Sequence, residues 1–225
     1  MLKPQKKKIK KKDLKHDPLL DSLMKVQTGY EEHKNKINYV IVGFLIAVLL
    51  GVWFVALYNE TEQEAVTLLG KAQVEYDQFN YSKARNFLTT LIDEYSGTDA
   101  QEQGLFLLAN LNFNENNINE AKALFEEFVS SYSGSEILLA SAYAGIAACL
   151  EAENNYTEAA ENYIKAHDTA REFIQAAEYL YLAALNYLDA GNSADAIDAL
   201  QQIVDDYPDS PRKFDAQTKL ILAAK

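Results

Sequence analysis

Four short segments recur through the later part of this chain: NYSKA (Asn80 to Ala84), NINEA (Asn117 to Ala121), NYTEA (Asn155 to Ala159) and NSADA (Asn192 to Ala196). Each has Asn followed four residues on by Ala, and the alanines are spaced 37, 38 and 37 apart. A near-constant period of this length marks a stacked helical array, in which a unit cannot bury its apolar face alone and packs it on its neighbours. Three units end alike, in DEYSGT (93–98), SSYSGS (130–135) and DDYPDS (205–210), where Ser, Gly, Asp and Pro stop one helix and open the next. In the third unit HDTARE (167–172) takes that place. The predicted fold class is all-α, a solenoid of helical hairpins.

Within a unit the apolar spacing is that of two antiparallel helices. Ala65, Leu68, Leu69, Ala72, Tyr76 and Phe79 lie on one face of the first helix, and Asn80 makes the bend into the second. The second unit reads Leu105-x2-Leu108-Ala109 then Ala121-x3-Phe125, and the third Tyr143-x2-Ile146-Ala147 then Ala159-x3-Tyr163. The fourth reads Leu180-x2-Ala183-Ala184-x2-Tyr187 then Ala196-x3-Leu200, with Pro208 at its end. These spacings resemble the tetratricopeptide repeat, W-x2-L-G-x2-Y, A-x3-F, P, although that repeat's period is about 34. Small residues at 84, 109, 121, 147, 159, 184 and 196 are expected to let paired helices approach closely. Lys71 and Glu75 mark the first unit as a cap with a polar outer face. A closing helix is expected over Phe214 to Ala224, introduced by Asp209, Ser210 and Pro211.

Ahead of the array, Val40 to Leu57 is an unbroken run of 18 apolar residues, and no charge occurs between Lys36 and Glu60. About 20 such residues span a bilayer core, and Tyr39, Trp53 and Tyr58 stand where interfacial rings are favoured. The run is longer than the apolar part of a cleaved signal peptide, about 7 to 15 residues, so the helix is expected to remain as an anchor. Residues 1–36 hold 11 Lys against five acids, a net of +6, whereas residues 59–225 carry a net of −18, which together give the chain's −12. Lysine is retained on the cytoplasmic side, so the acidic part is expected outside the cytoplasm. Three segments follow: 1–37, a basic cytoplasmic arm with a short amphipathic stretch; 38–58, a transmembrane helix; and 59–225, the repeat domain of about four units plus closing helix. The lysine block KPQKKKIKKKDLK, with little to bury, is expected to be disordered. It serves as topology signal, as a contact for anionic lipid headgroups or, least of all without aromatics, for nucleic acid. After Asp17 and Pro18, Leu19, Leu20, Leu23, Met24, Gln27 and Tyr30 share one helical face, to lie on the membrane or on a partner.

A single anchor, a basic arm and an acidic tetratricopeptide-like array resemble the ancillary subunit family of the bacterial Sec translocon. The resemblance covers residues from about 38 to 225 and rests on architecture. It implies a single-pass protein of the bacterial inner (plasma) membrane, N-terminus cytoplasmic and repeat domain periplasmic. The implied partners are the translocon, a membrane-anchored foldase and newly exported chains.

Enzyme chemistry finds little support. Beyond the apolar run the chain holds one His, His167, and one Cys, Cys149, too few for a nucleophile-and-base set or a metal cluster. His167, beside Asp168 in a turn, is expected to be solvated, Cys149 to be a buried apolar thiol, and Glu126-Glu127 and Asp205-Asp206 to be solvated faces. No phosphate-binding glycine loop occurs, and no cofactor is implied. The sequons at Asn59, Asn80 and Asn155 are discounted, since two of them coincide with the repeat turn. Two functions remain: a membrane-anchored protein-binding module that handles exported proteins, or a structural subunit docking one fixed partner.

In tetratricopeptide arrays the concave groove is lined by the first helix of each unit. Here that places Val66, Leu69, Gln73 and Tyr76, then Gln103, Phe106, Asn110 and Phe113, on the groove. Ser141, Ala144, Ala148 and Glu151 follow from the third unit, and Glu178, Tyr181, Leu185 and Leu188 from the fourth. None is Lys or Arg, which argues against a cationic clamp for a terminal carboxylate. The candidate protein-binding residues are Leu69, Tyr76, Phe106, Asn110, Phe113, Tyr181, Leu185 and Leu188. The alternative is that the closing helix fills the groove and makes them core.

Overall fold

The computed structural model describes residues 18–223, with no strand among them. It divides into two units, Met1–Asn59 and Glu60–Lys225, and helix α1 (Pro18–Asp77) runs through the division. In the first unit every side chain from Val40 to Leu57 is exposed to the surroundings. The amphipathic stretch is not a separate element but the start of α1, with Leu23, Met24 and Tyr30 exposed. The lysine block, Asp17 and the side chains of Leu19 and Leu20 lie outside the described residues.

In the second unit the end of α1 pairs with α2 (Tyr81–Glu94), and three further hairpins follow. They are α3 (Asp99–Asn114) with α4 (Ile118–Ser131), α5 (Glu136–Ala152) with α6 (Tyr156–Thr169), and α7 (Ala176–Asp189) with α8 (Ser193–Asp206). The closing helix α9 (Arg212–Ala223) completes the series.

Each bend is built on a residue in the left-handed region: Phe79, Asn116, Asn154 and Gly191, with φ of 60°, 64°, 62° and 78°. These stand immediately before the recurring asparagines. The amide of each asparagine donates to a carbonyl five residues back, Asn80 to Glu75 and Asn117 to Asn112, and the left-handed residue donates three back. That pair of bonds satisfies the last carbonyls of the first helix and turns the chain within two residues. Gly191 adopts this φ without a Cβ penalty and Asn tolerates it, whereas Phe79 is a bulky residue held there.

Every small residue expected at a helix crossing, Ala84, Ala109, Ala121, Ala147, Ala159, Ala184 and Ala196, is fully buried. A Cβ added to Gly145 would lie 2.6 Å from the Phe125 ring, so α4 and α5 meet where only glycine fits. Around these contacts Phe125 and Phe128 fill the centre with Leu105, Ile146 and Leu150. Cys149 is buried in the same cluster, and burial first, then Glu153, pushes its thiol up to about 11, so it acts as an inert packing group. Between hairpins, Arg85 pairs with Glu115 and Lys122 with Glu153, both cations following a turn alanine.

His167 departs from expectation, being 1% exposed rather than solvated. Its Nδ1 lies 3.0 Å from Asp168 Oδ1 and its Nε2 2.8 Å from the Tyr207 hydroxyl, which is also 3.1 Å from the Arg171 carbonyl. The third unit lacks the Tyr-Ser-Gly turn, and its longer connection, with Phe173 packed on the core, lets the end of α8 reach the end of α6 and cover the imidazole. Burial holds the His167 pKa below its ordinary value, against the opposing pull of Asp168.

Candidate functional site

The first helices of the array face one side. An apolar cavity of about 620 Å³ opens there, lined by Val66, Leu69, Gly70, Gln73 and Tyr76 from α1 and by Gln103, Phe106, Leu107 and Asn110 from α3. Leu138 of α5 closes one edge. All four groove positions of the first unit and three of the second are therefore brought together. The lining carries no formal charge. Gln73 is held toward Asp77 by a 2.9 Å bond from its amide, and Asn110 donates to the Phe106 carbonyl at 2.8 Å.

These residues differ in what else they do. Phe106 has its ring centroid 5.7 Å from Phe125 and 5.5 Å from Phe128, so it forms part of the inner core as well as the wall. Tyr76 is half-buried, packs on Tyr81 and accepts a 2.7 Å bond from Asn114 Nδ2; burial is the main cause that raises its pKa. Gly70 is exposed, and a Cβ there would meet nothing within 4 Å. Gly70 also lines a neighbouring cavity with Thr67, Lys71, Val74, Glu75 and Phe87, so a side chain added there stands at the rim of both with open space around its Cβ.

Phe113 lines a second cavity, about 470 Å³, with Ala148, Glu151 and Ala152 of α5, Tyr156 of α6 and Asp189 of α7. Tyr163 Oη donates to Glu151 Oε2 at 3.2 Å, and Asn186 Nδ2 donates to the same oxygen at 3.3 Å. Burial, with the neighbouring Glu151 carboxylate, strongly raises the Tyr163 pKa, so its phenol stays protonated and donating.

The fourth unit is different. Arg212, at the start of α9, donates to both Glu178 oxygens, the Nη2 bond measuring 2.7 Å, and to Asp215 at 2.9 Å. Its guanidinium also lies 4.6 Å from the centre of the Tyr181 ring. Tyr181 packs with Leu220 of the closing helix on the Leu180 and Leu200 core. Leu185 and Leu188 are half-buried. The closing helix thus covers Tyr181 and leaves the first cavity open.

Sequence reasoning missed Leu138, Asp189 and Tyr156. Leu138 precedes the register position Ser141 by one turn, so only the stagger between helices brings it in. Asp189 and Tyr156 flank bends, where counting along one helix gives no guide.

Among the described residues no group of three or more His, Cys, Asp or Glu side chains is placed to hold a metal ion. The first cavity offers apolar, aromatic and amide side chains, and the second adds the carboxylates of Glu151 and Asp189.

Paired helices stacked at a fixed period define a helical-repeat protein of the tetratricopeptide kind. The chain belongs to the family of the tetratricopeptide repeat protein 21 C-terminal ARM domain, whose model matches residues 7–214. The fold is similar to crystal structures of TPR-like repeats of a Podosopora anserina kinesin light chain. One of these and a point-substituted form of it each align with a TM-score of 0.57 at 16% identity. Each covers 72% of this chain, with 85% of the substituted chain and 86% of the other aligned. The TPR protein YrrB, described as having an unusual peptide-binding site, aligns at 16% identity over 68% of this chain and 92% of its own, with a TM-score of 0.31. No curated protein matches the sequence.

Proposed function

We propose that this protein is a membrane-anchored module that holds segments of partner proteins in the groove formed by its first helices, on the extracytoplasmic side of a bacterial inner membrane. The observation that carries the reading is the open, uncharged cavity at Leu69, Tyr76, Phe106 and Asn110, which offers two aromatic rings and side-chain amides to an incoming chain. The anchor is the run Val40 to Leu57, whose side chains face outward and whose length suits a bilayer. The lysine excess before it and the acidic array after it favour a cytoplasmic arm and an exported array. Newly exported chains are the natural clients of such a groove, and a translocon with a membrane-anchored foldase is the fitting neighbourhood.

Gly70→Leu tests the groove, because Gly70 lines the cavity and a larger side chain there has open space in which to crowd its rim. Affinity purification from solubilised membranes is expected to recover many exported proteins with the native chain and few with the variant. A single stoichiometric set, unchanged by Gly70→Leu, would mean a structural assembly subunit instead. An export-dependent reporter is expected to be active after Lys225 and inactive at Met1, and the reverse pattern would overturn the orientation.

A further inference from the structure

The second cavity carries charge that the array leaves uncompensated. Some carboxylates on these helices are paired, as Glu115 is with Arg85, Glu153 with Lys122 and Glu178 with Arg212. Glu151 and Asp189 form no ion pair among the described residues, yet they face one cavity. Glu151 is held by the Tyr163 hydroxyl and the Asn186 amide, two neutral donors that are 4% and 2% exposed. Those bonds fix the carboxylate without cancelling its charge. Asn186 donates its other amide hydrogen to the Leu182 carbonyl, while its Oδ1 is buried without a partner.

Two carboxylates repel an anion. They are too few for a calcium ion, which takes about six to eight oxygens, and the rest of the wall is Phe113, Tyr156 and two alanines. Carboxylates beside aromatic rings suit an organic cation, whose charge meets the acids while its stem or plane lies on the rings.

The place of this cavity decides whose cation it is. Asn110 of the apolar cavity and Phe113 of the acidic one are three positions apart on α3, about 4.5 Å along the axis. An extended chain advances about 3.3 Å per residue, so one with a side chain in the first cavity passes the second within the next few residues.

We propose that Glu151, Asp189, Phe113 and Tyr156 form a subsite for a Lys or Arg side chain of the bound polypeptide. The segment recognised then joins a large apolar residue to a basic residue within about four positions. This rests on the groove reading above and names the partner it selects.

The probe is a set of dye-labelled Gly/Ser peptides with one Leu and, two to four positions away, Lys, Glu or norleucine. They are measured by fluorescence polarisation on the full chain in neutral-lipid nanodiscs. The Lys peptide is expected to bind about fivefold tighter than the norleucine peptide at low salt, with the gain shrinking as salt rises. The Glu peptide is expected to bind more weakly than either.

Asp189→Asn is expected to reduce the ratio of Lys-peptide to norleucine-peptide affinity, and Glu151→Gln to bring that ratio close to one. Asp189 is exposed, so its variant serves should Glu151→Gln disturb the Tyr163 contact. Equal binding of all three peptides, abolished by Gly70→Leu, would overturn the cation subsite and leave the groove intact. Binding of none, or binding indifferent to Gly70→Leu, would overturn the groove and the subsite together.

Discussion

The two ends of the groove are built from equivalent positions and end up in opposite states. At the first two units Val66, Gln73, Tyr76 and Phe106 border an open cavity, whereas Tyr181 of the fourth lies under a guanidinium and packs on the Leu180 and Leu200 core. A repeat register fixes which way a side chain points, because each unit repeats the same helix crossing. Whether that side chain stays free depends on the element stacked after it. The fourth unit is followed by α9, which begins with an arginine able to grip Glu178 with two bonds and Tyr181 with its face.

The strongest test of this contrast lies in the packed layer beneath the groove. Gly145→Ala puts a Cβ 2.6 Å from Phe125 and is expected to cost roughly 1 to 3 kcal/mol, as is Ala121→Leu in the same layer. Thermal melts of the full chain measure it, and an unchanged melting temperature would mean that α4 and α5 are farther apart than described. Next in size is Arg212→Ala. Its ion pairs are more than a third exposed, so the loss is about 1 kcal/mol, and it should appear as faster amide exchange confined to α9. Exchange that stays slow there would show that apolar packing alone closes the fourth unit.

Gly70→Ala should act in the opposite direction to Gly145→Ala. With open space around its Cβ, it is expected to stabilise by up to about 1 kcal/mol through helix propensity. A destabilised Gly70→Ala would argue that the cavity is already filled. The smallest effect concerns pH. Burial holds the His167 pKa below 6.5 in the folded chain, so on acidification the unfolded chain takes up the proton first. The stability that the neutral ring contributes is present above about pH 6.5 and is lost as pH falls through that value toward the folded pKa. Melts between pH 8 and pH 5 are expected to show that loss, and His167→Gln to flatten it. An equal slope in the variant would assign the acid sensitivity to other groups.

Much of the array could be read from spacing. The turn alanines mark every second helix, and all of them are buried at crossings. Asn80, Asn117, Asn155 and Asn192 located the bends to within one residue. The left-handed conformation itself sits one position earlier, and Phe79 gave no sign of it because bulky residues rarely adopt that φ. Leu69, Tyr76, Phe106 and Asn110 were placed on one face by counting and are found lining one cavity. Tyr181 was counted in the same way, but its neighbour Arg212 comes from another element 31 positions on. His167 was misread as solvated because its cover, Tyr207, stands 40 residues away in sequence.

The sequence by itself determined the periodicity, the helical class, the length of the apolar run and the sign of charge on each side of it. These follow from local spacing and composition, which a helix or a bilayer reads one residue at a time. Tertiary structure alone decided which groove positions remain open, which carboxylates go unpaired at Glu151 and Asp189, and which imidazole is buried. Those outcomes depend on how neighbouring helices stagger and on which side chain of the next element reaches across, distances that no spacing along a single helix encodes.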